Sequence, residues 1–121
     1  MNDPRNLTEG QCAAFIESLI TVAEACYANA EVKGFWPLNG ERNKGEMIAL
    51  MHSELSEMLE AVRKPSADQH CPDFTQEETE AADVLIRLLD YCRGHRLRLG
   101  GATLAKMEYN RTRPHKHGKV F

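Results

Sequence analysis

A chain of 121 residues with 18 acidic and 15 basic side chains suits one domain with a modest core. No run approaches the roughly 18–20 uninterrupted apolar residues of a membrane span, and the start, Met-Asn-Asp-Pro-Arg, leads into no apolar signal segment; a soluble cytoplasmic protein is expected. The formal charge of −3 hides an uneven distribution. Residues 1–92 hold 17 acids against 7 bases, and residues 93–121 hold 8 bases against Glu108 alone, about −10 for the body and about +7 for the tail. Such a tail fits a solvated helix end, a nucleic-acid-binding arm or a clamp for a small polyanion.

In chain order, four helical segments emerge and no strand pattern does. Thr8-Glu-Gly-Gln11 has capping-box form, with Phe15, Leu19, Val22, Ala23 and Cys26 following at helical spacing. This predicts a first helix over about 8–33, stopped by Gly34. Phe35 to Gly40 reads as a loop carrying exposed or half-packed aromatics. A second helix spans about 43–64, and Pro65 prevents its extension. A polar loop runs to Phe74. Thr75-Gln-Glu-Glu78 forms another capping box, opening a third helix expected to reach about residue 99 and to end at Gly100-Gly101. A fourth helix is expected over about 102–112, before Pro114 and a basic tail over about 114–121. The four cysteines lack C-x-x-C spacing and read as small buried thiols rather than a disulfide framework or a zinc site. The expectation is a single all-α domain over 1–121. Helices two and three are apolar over more than one stripe, which favours completion of the bundle by a second copy.

Two matched acidic pairs carry the chemistry. Glu54-x-x-Glu57 and Glu80-x-x-Asp83 each place two carboxylates on one helix face, with Cβ atoms about 5–6 Å apart. Exposed glutamates at this spacing are commonplace, but Glu54 interrupts the apolar stripe of Leu50, Met51 and Met58 instead of standing opposite it. In an antiparallel hairpin the two pairs also fall at nearly the same height: Glu57 lies about 10 Å from the end of its helix and Glu80 about 7 Å from the start of its own. Only Arg87, four residues after Asp83, offers a neighbouring cation. Four such carboxylates together favour a hard divalent ion, Mg²⁺ or Mn²⁺, and hence a phosphate-ester substrate. A di-iron bundle requires Glu-x-x-His pairs, and this chain has none.

With these residues in view, the chain resembles the all-α nucleoside triphosphate pyrophosphohydrolases. Both acidic pairs, 22 residues apart, fit the family's E-x-x-E…E-x-x-D pattern. Ile48 to Ala61 and the ending His117-Gly-Lys-Val-Phe121 look like the short MazG-like forms, and Lys106-Met-Glu-Tyr-Asn110-Arg-Thr-Arg113 resembles the K-x-x-x-N-x-x-R/K segment; the likeness covers about residues 30–121. It implies a four-helix MazG-like bundle completed by dimerisation or tetramerisation. It further implies Mg²⁺-dependent cleavage of an NTP or dNTP to the monophosphate and pyrophosphate, in a nucleotide-pool or house-cleaning role. By the same analogy Glu54, Glu57, Glu80 and Asp83 hold the metal and act in catalysis, with Mn²⁺ as a possible substitute. Lys106 and Arg113 contact phosphates and Asn110 the sugar or phosphate region. The chain departs from dCTPase-like relatives at Pro114-His-Lys-His117, so base preference stays open.

The residues add their own weight. Lys106, Asn110 and Arg113 share one helical face; Lys supplies a point charge and Arg a bidentate fork for phosphate. Trp36 is the candidate for stacking on a base, with a packing role as the alternative. Lys116 and His117 are candidates to fold over the substrate or over a neighbouring subunit's site. Two other functions stay in view: hydrolysis of (p)ppGpp-type alarmones, and a non-enzymatic nucleic-acid-binding helical module. A nucleotide is the expected partner, rather than nucleic acid or a membrane.

Overall fold

The computed structural model describes residues 3–121 and is helical throughout: α1 Glu9–Val32, α2 Lys44–Arg63, α3 Gln76–Gly94 and α4 Leu99–Arg111, followed by a 3₁₀ turn at His115–Gly118. Among the described residues no strand forms; one isolated bridge, Ala67 to Thr75, closes the loop between α2 and α3. Both capping boxes are present. Thr8 accepts from the Gln11 amide at 3.1 Å while Gln11 accepts from the Thr8 amide at 2.9 Å, and Thr75 and Glu78 do the same at 3.1 and 3.0 Å. Asn43 caps α2 through the Glu46 amide at 2.9 Å. Each cap satisfies amides that the helix itself cannot.

α1 ends as expected, at Gly34. That residue sits at φ +86°, the Gly34 amide donates to the Glu31 carbonyl, and the Phe35 amide donates to the Ala30 carbonyl, the Schellman pattern. The end of α3 differs from expectation. The helix stops at Gly94 rather than near residue 99, and α4 begins at Leu99 with Gly100 and Gly101 inside its first turn. The stop is a second Schellman motif built without glycine: Arg96 takes φ 58°, its amide reaches the Arg93 carbonyl and the Leu97 amide reaches Cys92 at 2.8 Å. An arginine in the left-handed region carries no sequence signal for a stop.

α3 is the central element. α2 packs along one side of it and α1 along the other, while α4 rests on α1 and makes at most marginal contact with α2. The paired residues Arg42/Asp90 and Glu54/Arg87 run in opposite directions along α2 and α3, so these two form an antiparallel hairpin. The buried apolar core is small: Trp36, Met47, Ala61, Leu89 and Cys92. The thiols are free, and only Cys92 is buried; Cys71 is exposed. The described residues expose 9487 Å², whereas a compact monomer of this mass exposes about 6,600 Å². Leu55, Leu59, Val62, Leu85 and Ile86 are among the large apolar side chains left at the surface.

Trp36 anchors the α1–α2 loop. It is 6% exposed, and its indole N–H donates to Asp90 at 2.8 Å. The other Asp90 oxygen accepts from Arg42 at 3.3 Å. The Arg42 guanidinium lies 4.9 Å from the indole centroid, and Tyr27 and His95 pack on the ring at 5.3 and 5.5 Å. Asp90 is 8% exposed; burial pushes its carboxyl up, opposed by its bonds to Trp36 and Arg42. A buried acid held by two donors is satisfied, and removing either would leave it exposed to the full desolvation cost.

Gly94 exists for this ring. A Cβ there would stand 2.1 Å from the indole, so Gly94→Ala is expected to cost about 1–3 kcal/mol through overpacking. Gly101 has nothing within 4 Å of its would-be Cβ and lies inside α4, so Gly101→Ala should stabilise by about 0.5–1 kcal/mol. Urea unfolding of the two variants checks both signs.

Candidate functional site

The acidic pairs meet across the α2–α3 hairpin. One oxygen each from Glu54, Glu57 and Glu80 lies within 4.8 Å of the others. Glu54 and Glu80 are half-buried and Glu57 is exposed. Asp83 stays at the edge of this cluster, on the exposed side of α3. The helix spacing explains the arrangement: Glu54 and Glu57 project from consecutive turns of α2, and the antiparallel register sets Glu80 opposite them.

Among the described residues Arg87 is the cation in direct contact with the cluster. Its Nε donates to Glu54 Oε1 at 2.9 Å. It therefore serves the helix opposite rather than Asp83, its neighbour one turn back. The remaining oxygens, Glu54 Oε2 and Glu80 Oε2, are buried and have no hydrogen-bond partner. Two ionised carboxylates offer acceptors only, so Glu54 and Glu80 can bond to each other only if one keeps a proton. Glu80 shows the consequence. Burial, followed by the Glu54 contact and the charges of Glu57, Glu54 and Asp83, pushes its carboxyl from 4.5 to about 7. Asp83 is also raised, by burial first and then by Glu54, with Arg87 opposing. Like charges pressed together in a partly dry seam require a proton or a cation between them.

An oxygen-only donor set of this kind fits a hard divalent ion by its chemistry: hard cations take carboxylate oxygens, and the two orphaned oxygens are free to be ligands. The loop beside the site is firmly built. Asp68 accepts from the amides of His70 and Cys71 at 2.8 and 2.7 Å and from the Thr79 hydroxyl at 2.8 Å. Those bonds, the Thr79 one foremost, hold its carboxyl below the usual range. Asp68 is thus engaged structurally, through Thr79, the residue immediately before Glu80.

The basic residues singled out by sequence lie elsewhere in the chain. Lys106 and Arg113 flank the Tyr109 ring at 4.8 and 5.5 Å, Asn110 is exposed beside them, and none of the three pairs with the acidic cluster. Arg113 also donates to the His117 carbonyl at 3.5 Å, fastening the tail to α4. In that tail Lys116 and His117 both sit at φ 53°, followed by Gly118 at φ 75°. For the two non-glycine residues this conformation costs about 1–2 kcal/mol each. Trp36 takes the packing role described above, its ring covered and its N–H committed to Asp90. Phe35 beside it is 62% exposed. Sequence reading missed Asp90 and Arg42 as partners across this interface and gave Arg87 to Asp83 rather than to Glu54. The recurrence of charge at 80, 83, 87 and 90 along one face of α3 was the available signal.

Because folded Glu80 holds its proton more tightly than the unfolded chain does, the native state binds more protons between pH 4.5 and about 7. Unfolding free energy must then fall as pH rises through that window. Without added metal, the urea midpoint is expected to be lower at about pH 8 than at about pH 5, and Glu80→Gln should flatten that difference. Equal slopes in the parent and the variant would remove Glu80 as its source.

Compared with known proteins, the chain matches no family model, no curated protein and no solved structure.

Proposed function

We propose that the chain is a Mg²⁺-dependent nucleoside triphosphate pyrophosphohydrolase that converts an NTP or dNTP to its monophosphate and pyrophosphate. The observation that carries this reading is the meeting of Glu54, Glu57 and Glu80 within 4.8 Å, with two buried oxygens unpartnered. The MazG-like pattern of the sequence supplies the reaction class. Glu54, Glu57 and Glu80 would hold the divalent ion, with Asp83 completing the set from the edge. When bound, the ion supplies charge neutralisation for the phosphate oxygens as pyrophosphate departs.

The chain's own residues do the rest. Arg87 fixes the Glu54 carboxylate through its 2.9 Å bond, which holds one donor in place at little further entropic cost. In hydrolysis a water oxygen bonds to the α-phosphorus, the bond from that phosphorus to the α–β bridging oxygen breaks, and the water's proton passes to a carboxylate of the cluster. Lys106 and Arg113 bind phosphate oxygens, and Asn110 the sugar or phosphate region. Lys116 and His117 close over the substrate from the tail.

α4 packs on α1 and scarcely meets α2, so in this reading the Lys106–Asn110–Arg113 face serves the carboxylates of a neighbouring copy. A homodimer or homotetramer follows, and the large exposed surface supports it: 9487 Å² against the compact-monomer value leaves roughly 2,900 Å² of excess. Among the described residues no helix is long and apolar enough to cross a membrane. The setting proposed is the cytoplasm, in control of nucleotide pools.

The test is a panel of NTPs, dNTPs, modified nucleotides and alarmones incubated with Mg²⁺ or Mn²⁺, with products identified. Pyrophosphate release is expected, and Glu57→Ala or Asp83→Ala should lower turnover about a hundredfold or more, the loss of several kcal/mol of charge stabilisation. Circular dichroism establishes that both variants remain folded. Undiminished turnover in both would end the carboxylate assignment.

A further inference from the structure

Between α1 and the start of α4 the chain leaves a groove of about 660 Å³, inside the range of about 300–1,000 Å³ that suits small-molecule sites. Buried Leu89 and Cys92 of α3 form its floor. Ile16, Leu19, Ile20 and Ala23 line it from α1, and Leu97 and Leu99 from the turn into α4. Gly100 brings α4 hard against α1: a Cβ there would stand 3.2 Å from Ile16 Cγ1 and 3.5 Å from the Ile16 Cα. A second hollow shares Leu97 and Leu99 and runs on to Ala102 and Ala105.

The charged residues around this apolar surface are unbalanced. Arg93, Arg96 and Arg98 line the groove, and Glu24 is the acid among them. Arg93 and Glu24 pair with each other. Arg96 and Arg98 are exposed, and among the described residues neither pairs with a carboxylate. Glu17, the other acid on this stretch of α1, is exposed and does not line the groove. Two positive charges thus stand uncompensated at the edge of an aliphatic trough.

We infer that this groove binds an unbranched aliphatic carboxylate, its hydrocarbon chain lying over Leu89 between the two apolar walls and its head group held by Arg96 and Arg98. The guanidinium fork matches a carboxylate in shape and sign. No aromatic side chain lines the groove, so it offers a saturated chain good contact and a planar ring no stacking partner. Being concave, it receives a chain instead of inserting side chains into a bilayer. The inference goes beyond the proposed pyrophosphohydrolase and uses none of the residues assigned to it.

Calorimetric titration of the full chain at neutral pH tests it, with octanoate, decanoate, decanol and decylammonium as probes, each kept below aggregation. Decanoate is expected to saturate a single site and to bind more tightly than octanoate, by about fourfold for each added CH₂. Decanol should bind more weakly, and decylammonium more weakly still. Arg96→Gln with Arg98→Gln should weaken decanoate roughly three- to tenfold while leaving decanol unchanged. No saturable decanoate binding, or decylammonium binding as well as decanoate, would overturn the proposal, and so would a folded double variant that keeps the full preference for decanoate. Amide NMR shifts of the parent locate the site and need no variant to fold. Decanoate should move Leu97, Gly100 and Gly101 and spare Leu55 and Leu59 on α2; equal shifts on both faces would mean detergent-like adsorption and refute the groove. Neither readout involves hydrolysis, so failure of the pyrophosphohydrolase reading would leave this result untouched.

Discussion

Repulsion among carboxylates across the α2–α3 interface governs this structure. The most extensive contact in the chain, between α2 and α3, is not lined by hydrocarbon alone. A polar row runs through it: Glu57 with Glu80, Glu54 with Arg87, and Arg42 with Asp90. At the Asp90 end, charge and hydrogen bonds are matched. At the Glu80 end they are not, and a carboxyl displaced to about 7 is the free chain's own answer to that mismatch. The imbalance favours a proton held at that end of the interface.

The satisfied end has a structural purpose. Trp36, held by Asp90 and packed against Gly94, pins the α1–α2 loop to the C-terminal half of α3, and through Arg42 it fixes where α2 begins. The register of the hairpin follows from that anchor, and with it the alignment of Glu54 and Glu57 against Glu80. His95 completes the surroundings of the ring. Its Nε2 is buried without a partner, and burial, with Lys44 and Arg42 nearby, holds the imidazole below its usual range, so it packs as a neutral ring. Precision at one end of the interface thus permits tension at the other.

Among the described residues five apolar side chains are buried, a small core for a chain of this length. The surplus apolar surface includes Ile48, Leu55, Leu59 and Val62 on the outer side of α2 and, near the C-terminal end of α3, an open groove lined by Ile16, Leu19, Leu97 and Leu99.

The sequence by itself determined the helices, because their information is local. Capping boxes at Thr8 and Thr75, Gly34 and Pro65 act within a few residues, and the i, i+3 spacing of the acidic pairs needs only helical geometry. The common height of those pairs was legible as well, from how far Glu57 and Glu80 lie from the ends of their helices in an antiparallel hairpin. Tertiary structure alone decided what depends on distant partners. Trp36 became a buried anchor because Asp90 and Gly94 receive it from 54 and 58 residues away. Arg87 turned to Glu54 across the hairpin, leaving Asp83 at the edge. α3 ended at Gly94 because Arg96 adopts a left-handed backbone held by the Arg93 and Cys92 carbonyls, a stop that long-range packing sustains and no local residue preference announces.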